Sequence, residues 1–566
     1  MNRHWMPSSR ARSLQRPATA PTKRLSFEGS RPARAAVLGA TAGVFVAVVL
    51  ALLVAGCGGS GGQATTSTSG GAATTSTSGG AATGVQTGGT LNVATEPGTI
   101  RDPALASARS DILLNQQIYD WLVETGDNNQ LVPGLATAWD SPDGKVWTFT
   151  LRSGVTFSNG QAFTADDVVY TFERLADPKV GSPLASTLGN VTGVKAVDAT
   201  HVEFTLKDAN PEFPSDVSDY HAAILSKSVP DPAKTWVGTG PFVLQSYAAE
   251  DRAILKKNPS YWMKDAKGNA LPYLDGIQFI FSPDLAGQVN ALQGAQVQFV
   301  GGLTSELVAS VKGQSKLKVI SGPSSAFHYV IHMRSDSGHP AADAKIRQAL
   351  QLGTDHQGLI DQVRPGLAVV GNGTPVGPAY GDYYLDQAPA YDVNKAKDLL
   401  AQAGASNLTI TLYAQQALEV PAIATVWQQQ MKAIGVTVNI QPEPADVYYG
   451  DGDASWLKVD FGITEWGARA TPNAYFNNAY VTGGAYNESH WSDPEFDAIA
   501  KQINSELDRA KRAALYKQAQ QILIDRGPVI VPFFETAAAG TSANLEGVVI
   551  APDWSRTMFR AAYLTK

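Results

Sequence analysis

Residues 135–175 read LATAWDSPDGKVWTFTLRSGVTFSNGQAFTADDVVYTFERL. Asp143-Gly144 and Asn159-Gly160 are turn pairs, because glycine tolerates the positive φ that tight turns need. After the first turn, apolar residues alternate with smaller or polar ones at a period of two over Val146–Leu151. This alternation predicts a strand with one apolar face, and therefore a β-hairpin.

The same stretch continues into a predicted helix that begins at Thr164. A threonine hydroxyl can cap free backbone N–H groups, and Asp166 and Asp167 suit the positive end of the helix dipole. The apolar residues then recur at i, i+4 and i+7, which predicts one buried stripe made of Val168, Phe172 and Leu175. The stretch is thus a hairpin followed by a capped helix, a structural unit that names no function.

The complete pattern AxxWxxxDGxxxxFxLRxGVxFxxGxxxTAxDV, which ends at Val168, is more specific than its parts. It resembles the signature of the family 5 solute-binding proteins, the oligopeptide-, dipeptide- and nickel-binding components of bacterial ABC importers. Further segments resemble the family in the same order along the chain: GTGPF at 238–242, IRQAL at 346–350 and YDVNKAKDLL at 391–400. The resemblance extends from about Gly89 to the C-terminus.

The resemblance implies an α/β, periplasmic-binding-protein type II-like fold. It has two α/β lobes with a ligand cleft and a hinge, plus an extra smaller domain. In the family the first lobe is discontinuous, which implies these boundaries: first lobe from 90 to 107, additional small domain from 108 to 225, first lobe continued from 226 to 290, second lobe from 291 to 530, and return to the first lobe from 531 to 566.

Composition and charge narrow the function classes. The chain has 566 residues, enough for two or three domains, and its formal net charge is −7 with 44 basic and 51 acidic residues. An acidic chain argues against nucleic acid, which favours clustered Lys and Arg. Cys57 is the only cysteine, so the sequence offers no intramolecular disulfide and no cysteine-based metal site.

The N-terminus predicts export and a lipid anchor. Basic residues precede an uncharged run, AAVLGATAGVFVAVVLALLVAG, at 35–56, and the run ends on Val54-Ala55-Gly56-Cys57. This end resembles a bacterial lipobox, which implies a signal peptide over 1–56 and acylation of Cys57. The alternative is an uncleaved membrane helix. A Gly/Ser/Thr-rich tether over 57–89 follows, in which ATTSTSGG occurs twice.

The family's usual ligand segment is a GWxADYPDP-like loop, whose Asp pairs with the amino group of a bound peptide. The matching stretch here is TEWGARATP at 464–472, in which the aspartate is replaced by Arg469 and the preceding glycine by Glu465. A guanidinium suits a carboxylate or phosphate. We therefore expect Arg469 to receive an anionic or hydrogen-bond-accepting group. The alternative is that Arg469 points to solvent or pairs with Glu465.

The other candidate ligand residues are aromatic, apart from one carboxylate. The indole of Trp466 can stack on many ligands, and core packing is its structural alternative. Tyr475 and Tyr383 are weaker candidates for which surface or core roles compete. Glu96 follows the first predicted strand, where the family often turns side chains into the cleft, and a solvated loop is the alternative.

Metal binding and catalysis have little support in the sequence. His328 and His332 share a strand face but lie roughly 13 Å apart, too far for one ion, and His339 lies beyond them. HExxH does not occur, GxSxG occurs only inside the Gly-rich tether at 58–62, and SxxK occurs at 315–318 and 455–458 without the SDN and KTG motifs that accompany it in hydrolases, so a hydrolase is the weakest alternative. We expect no enzyme activity, no cofactor and no metal.

The resemblance implies a monomeric, lipid-anchored extracytoplasmic protein. It would capture a peptide-like or other small polar or anionic solute and deliver it to an ABC permease and its ATPase. A ligand-sensing or adhesion lipoprotein without a transport role is the main alternative, and the sequence leaves the two open.

Overall fold

The computed structural model describes residues 85–98, 102–126, 130–450 and 452–566. The predicted signal segment, Cys57 and most of the tether lie outside these residues. The strands are β1 (Thr90–Thr95), β2 (Val123–Thr125), β3 (Leu131–Pro133), β4 (Ala136–Asp140), β5 (Val146–Leu151), β6 (Val191–Asp198), β7 (His201–Leu206), β8 (Phe242–Ala248), β9 (Arg252–Lys257), β10 (Gly276–Phe281), β11 (Phe299–Gly301), β12 (Leu317–Met333), β13 (Ala368–Val369), β14 (Thr409–Gln415), β15 (Thr437–Glu443), β16 (Phe461–Trp466), β17 (Val529–Ile530), β18 (Phe534–Ser542), β19 (Leu545–Glu546) and β20 (Tyr563–Leu564).

Helices cover these strands. The α-helices are α1 (Arg109–Ile118), α2 (Ala165–Ala176), α3 (Phe213–Asp216), α4 (Leu285–Gln293), α5 (Ser305–Val311), α6 (Ala344–Leu352), α7 (His356–Val363), α8 (Val393–Gln402), α9 (Val420–Ala433), α10 (Ala445–Tyr448), α11 (Asn473–Tyr475), α12 (Pro494–Ile503) and α13 (Arg509–Arg526). Single 3₁₀ turns lie at Pro103–Leu105, Pro183–Ala185, Thr187–Asn190, Tyr220–Ala222, Pro378–Tyr383 and Trp554–Arg556, and a π turn lies at Phe476–Tyr480.

One large sheet contains twelve strands and runs through two lobes, with the path β15-β14-β16-β12-β18-β11-β1-β10-β9-β8. In the first lobe β1 lies between β10 and β11, and both neighbours are parallel to it. In the second lobe β14 is parallel to both β15 and β16. Parallel strands need crossover connections, and helices α4 and α9 provide them. Each half of the sheet is therefore an α/β layer, as the sequence predicts.

The two lobes have separate hydrophobic cores. In the first, Leu91, Phe279 and Phe299 from neighbouring strands are almost fully buried. In the second, Leu412 of β14 and Phe461 of β16 pack with residues of α9. Interiors are packed as densely as organic crystals, so each lobe can move as a rigid body. Motion between the lobes must then be absorbed by the segments that join them.

The chain enters the second lobe along β12 and returns along β18. The first part of β12, at Leu317–Ser321, pairs with residues 538–542 of β18 in the first lobe. The later residue His328 pairs with Phe534, and the register shifts twice in between, on either side of Ser324. Bulges bend and twist a strand locally. These two irregular strands form the hinge between the lobes.

A separate four-stranded antiparallel sheet, β4-β5-β7-β6, contains the stretch that opened the sequence analysis. On β5 the residues Trp147, Phe149 and Leu151 are buried, as the alternation predicts. Gly144 and Gly160 have φ of 70° and 85°, as their turns require. The hairpin is confirmed.

The helix after this hairpin is also confirmed as α2. Thr164 precedes it, and its backbone N–H donates to Asp167 Oδ2 at 2.9 Å, the reciprocal bond of a capping box. The predicted stripe packs onto the small sheet, where the rings of Phe172 and Phe204 lie 4.9 Å apart in edge-to-face geometry. Helix α2 thus packs on one face of the four-stranded sheet. The exact boundaries between the lobes and this small domain stay a prediction. Helix α1 falls in the range 108–225 predicted for the small domain, but it packs against β8 and Trp554–Arg556, so we group it and the adjoining Trp121 with the first lobe.

The small domain contacts the second lobe through a buried ionic group. Glu212, which follows β7, accepts a hydrogen bond from Arg512 Nε at 2.6 Å and one from the Tyr383 hydroxyl at 2.7 Å. Arg512 and Glu212 are both about 95% buried. Removing one partner of an ion pair this deep is strongly destabilising, because it leaves the other charge buried and unpaired.

Candidate functional site

A cavity of about 900 Å³ lies between the lobes and beside the hinge strands. The first lobe lines it with Arg109 of α1, with residues 302–304 and with residues 551–554, 556–558 and 560–561. The second lobe lines it with Tyr329, with Tyr380 and with residues 468–471, and the small domain adds Glu212 and residues 218–220. Cavities of this size, open between rigid bodies, are where small molecules bind. We take this cleft as the candidate ligand site.

The loop after β16 brings Arg469 to this cleft. Tyr475 Oη accepts a hydrogen bond from the Arg469 backbone N–H at 3.1 Å, and Tyr380 Oη donates to the Arg469 carbonyl at 2.8 Å. The loop backbone is therefore held from both sides while the side chain is exposed. In the described part of the chain no carboxylate pairs with the Arg469 guanidinium, Glu465 included. Its cationic group is available to a ligand.

Trp466 and Tyr475 lie beneath this loop and do not line the cleft. Trp466 is 5% exposed and its indole N–H donates to Glu488 Oε1 at 3.3 Å. The rings of Trp466 and Tyr475 lie 5.8 Å apart and meet edge to face, and Tyr475 is 1% exposed. Both side chains support the loop from the core. A direct ligand contact by either one stays a prediction.

Tyr383 lines the cleft, with its hydroxyl turned toward the buried Glu212 and Arg512. Burial raises the pKa of Tyr383, and the negative charge of Glu212 adds to this rise. The phenol therefore stays protonated and acts as a hydrogen-bond donor to Glu212. Tyr383 is 4% exposed, and the Arg509 guanidinium lies 5.0 Å from its ring centroid.

The two predicted carboxylates are both half-buried outside the lining of the cleft. Glu96 accepts a hydrogen bond from the Thr95 hydroxyl at 3.2 Å. Glu465 has one buried oxygen, Oε2, without a hydrogen-bond donor, and burial together with the charge of Glu419 raises its pKa. The structure therefore brings Arg469 and Tyr383 to the cleft, while Trp466, Tyr475, Glu465 and Glu96 lie beside or behind it. The ligand role of all six stays a prediction.

Sequence reasoning missed the charged floor of the cleft. Tyr329 of β12 donates a hydrogen bond to Glu419 Oε2 at 2.5 Å and lies 3.3 Å from Glu535 Oε1. Arg364 pairs with the same two carboxylates, at 3.3 Å from Glu535 Oε2. Burial raises the pKa of Glu535, because removal from water disfavours the charged form. Four elements far apart in sequence supply this cluster, so no local motif could have revealed it.

Each of the three histidines lies close to an oxygen of another protein group. His328 is fully buried and its Nδ1–H donates to the Ala326 carbonyl at 2.9 Å. His332 Nδ1 lies 3.1 Å from Glu488 Oε2, and His339 Nδ1 lies 2.6 Å from Asp460 Oδ1. Across residues 85–98, 102–126, 130–450 and 452–566 no group of three or more His, Cys, Asp or Glu is placed to hold a metal ion.

Two rigid α/β lobes, a hinge made of two strands and a cleft between them define a two-lobed binding protein. The profile of the family described as "Bacterial extracellular solute-binding proteins, family 5 Middle" matches residues 130–488. The match covers well over half of the chain. The chain therefore belongs to the family 5 extracellular solute-binding proteins and is a binding protein, not an enzyme.

Curated relatives are similar over most of their length. A dipeptide-binding protein of Pseudomonas aeruginosa is 28% identical over 475 residues, which cover 76% of this chain and 85% of the relative. The periplasmic oligopeptide-binding protein OppA of Escherichia coli is 26% identical over 484 residues, covering 76% of this chain and 84% of the relative. Both are named for the peptides that they bind.

Solved structures agree on the fold. The unliganded open form of MppA, a periplasmic murein tripeptide-binding protein, superposes with a TM-score of 0.77 at 22% identity, covering 85% of this chain and 98% of that one. A nickel ABC transporter protein of Bacillus halodurans gives a TM-score of 0.72 at 24% identity, covering 83% and 98%. Proteins with different cargoes thus share this fold, and the fold alone does not name the ligand.

A helix that crosses a bilayer must be about 20 residues long and predominantly apolar. Within the part of the chain that the structure describes, no helix meets both conditions.

Proposed function

We propose that this protein captures a small solute between its lobes and delivers it to an ABC permease at the outer face of the cell membrane. The cleft of about 900 Å³ beside the hinge strands is the observation that carries this proposal. A ligand that contacts both lobes favours the closed form, because it shifts the equilibrium only by its preference for that form. The closed form then docks on the permease, where reopening releases the solute.

The relatives support transport as the purpose of capture. Several are named for di-, tri- or oligopeptides, and solved neighbours include a peptide-bound ABC transporter-associated protein of Helicobacter pylori and a protein bound to agropinic acid. A peptide-like or other small polar solute is the ligand class that fits this range.

Arg469 supports an anionic or acceptor group on that ligand. Its guanidinium lines the cleft, is exposed and has no carboxylate partner within the described residues. A carboxylate or phosphate can accept two parallel hydrogen bonds from a guanidinium. We propose Arg469 as the main polar ligand contact and the ring of Tyr383 as an apolar one.

The test of solute capture begins with native mass spectrometry of compounds that co-purify with the full chain. Each identified compound is then measured by thermal shift and titration calorimetry, and a genuine ligand raises the melting temperature through mass action. Arg469→Ala should weaken its binding tenfold or more. If no compound co-purifies and none in a screen of peptides, sugars and organic acids shifts the melting temperature, solute capture is wrong.

Membrane anchoring by acylated Cys57 is a separate proposal that rests on the sequence Val54-Ala55-Gly56-Cys57. Two acyl chains hold a protein stably at a bilayer where one does not. Cys57→Ser should move the protein from the membrane fraction to the soluble fraction and abolish labelling with a radioactive fatty acid. Membrane association that survives this substitution would favour an uncleaved helix over 35–56.

A further inference from the structure

Two arginines on opposite lobes reach the cleft without a protein partner. Arg109 is the first residue of α1, which packs against β8 and against the turn Trp554–Arg556 of the first lobe. Arg469 is on the loop after β16 of the second lobe. Both line the same cavity and both are exposed. Within the described residues neither guanidinium forms an ion pair or donates a hydrogen bond.

The other arginines that line the cleft are all engaged. Each of them contacts a carboxylate or a carbonyl: Arg364 with Glu419 and Glu535, Arg509 with Asp382, Arg556 with the Ser218 carbonyl, and Arg560 with Glu124. Within the described residues, the cleft arginines without an ion-pair or hydrogen-bond partner are therefore Arg109 and Arg469, one on each lobe, and the charge of Glu535 acts on Arg109 from a longer distance.

The position of Arg109 is unfavourable for its helix. It is the first helical residue of α1, where the helix dipole favours negative charge and disfavours a cation. Ala108 before it provides no side-chain cap. Helix stability therefore does not explain an arginine here. An anion in the cleft would be attracted by this guanidinium.

The first-lobe wall contains two more donors without acceptors. Trp121 and Trp554 line the cleft and are 3% and 8% exposed. Neither indole nitrogen has a hydrogen-bond partner. An indole N–H can only donate, and a buried donor without an acceptor is rare and unfavourable. Both indole nitrogens are buried behind the surface of the cleft, so the donor that the first lobe presents to a ligand is the exposed guanidinium of Arg109.

We propose that the first lobe holds a second anion-recognition position centred on Arg109, and that the ligand accordingly carries two carboxylate-class groups, one for each lobe. This inference rests on the proposed capture of a solute in the cleft. A dianion that spans the cleft relieves the repulsion between two like charges as the lobes approach. A monoanion can satisfy only one lobe and leaves the other guanidinium unpaired.

The test uses titration calorimetry on the full chain with six compounds. They are acetyl-Glu-Ala-Ala, which has two carboxylates, its two monoamides, its uncharged diamide, and glutarate with its monoamide. We expect at least one dianion to bind tenfold or more tightly than its monoamide. Arg109→Gln and Arg469→Gln should each reduce the affinity for the dianion to about that of the monoamide.

Two further variants separate charge from geometry. Arg252→Gln removes an exposed arginine of β9 that does not line the cleft, and it should bind the dianion like the wild type. Arg109→Lys keeps the charge but loses the forked donor geometry, so it should retain part of the affinity. Wild-type affinity of Arg109→Gln for the dianion would overturn the inference.

The outcomes also separate this inference from the function on which it rests. Equal binding of the dianion and the uncharged diamide would overturn the inference and leave solute capture intact. Absence of binding by all six compounds would overturn a dianionic ligand. If the wider screen of peptides, sugars and organic acids then also gave no melting shift, solute capture would fail as well.

Discussion

The hairpin-helix of residues 136–176 and the loop of residues 467–472 both match sequence patterns of the same family, but they are held in different ways. The hairpin-helix buries its own apolar side chains against its own sheet, with Phe149 at 0% exposure. The loop buries little and is fixed by hydrogen bonds from Tyr380 and Tyr475. One region is stable by packing, and the other is positioned for contact. This difference predicts that mutations in the two regions will separate stability from ligand binding.

The largest effect is expected for Phe149→Ala in the hairpin. The ring lies 5.5 Å from that of Phe204 and 6.2 Å from that of Phe213, both in edge-to-face contact. Removing it should reduce the free energy of unfolding by about 3–5 kcal/mol, because the lost packing leaves a cavity. Urea denaturation measures this loss. At temperatures where the variant remains folded, its ligand affinity should equal that of the wild type. A loss of affinity under these conditions would contradict the proposal that the hairpin contributes to stability and not to binding.

A pH effect is expected next, beneath the loop. Burial lowers the pKa of His328 from its ordinary 6.5 to about 4, and the nearby positive charge of Arg469 contributes. Below pH 6.5 the His328 side chain becomes protonated in the unfolded chain but stays neutral in the folded chain. The free energy of unfolding therefore decreases as the pH falls toward 4. The loss should be on the order of 2–3 kcal/mol.

The matched variant for this pH effect is His328→Gln, which keeps a donor for the Ala326 carbonyl. As the pH falls from 6.5 to 4, the unfolding free energy of the wild type should decrease more than that of the variant, which has no histidine at this position. An identical pH profile for the two proteins would show that His328 titrates normally in the folded state.

A smaller effect on stability is expected for Trp466→Phe. This variant tests whether Trp466 only supports the loop or also contacts the ligand. The substitution removes the bond to Glu488 and part of a buried ring, and should cost about 2 kcal/mol of stability. If Trp466 only supports the loop, calorimetry should find ligand affinity reduced less than threefold. A loss of tenfold or more would instead favour the prediction that the indole stacks on the ligand.

The smallest effect on stability is expected for Tyr475→Phe, about 1 kcal/mol from the lost hydroxyl bonds. This hydroxyl accepts from Arg469 N–H and lies 3.0 Å from the Gly467 carbonyl. Its removal frees the backbone of the loop that carries Arg469. Ligand affinity should therefore fall, even though the loss of unfolding free energy is small. Tyr480→Phe, a buried tyrosine of the same core, is the control. Equal affinity losses in both variants would rule out a positioning role for Tyr475.

The fold was largely accessible from the sequence, for a physical reason. The hairpin and α2 are local: the turn glycines, the period-two alternation and the capping Thr164 act within about ten residues of each other. The apolar spacing over Asp111–Val123 predicts a single helix, but α1 ends at Ile118 and Val123 begins β2. Apolar spacing alone could not separate a helix end from the short strand that follows it.

The candidate site was accessible only in part. The sequence identified Arg469 because the local pattern at 464–472 matches the family's ligand loop, in which this position is an aspartate. Arg109, Trp554 and the floor of Tyr329, Arg364 and Glu419 come from distant elements that meet at the cleft. None has a neighbour in sequence that points to a ligand, so no spacing could have identified them.

The sequence by itself determined the regular elements, the family, and the presence of a cation where the family has an anion. Only the tertiary structure decided that Arg469 reaches the cleft while Trp466, three residues earlier, is buried behind it. Trp466 is the last residue of β16 and packs into the core, whereas Arg469 lies on the irregular loop that follows. Which side meets the ligand depends on where the other lobe lies, and that is fixed by contacts between residues far apart along the chain.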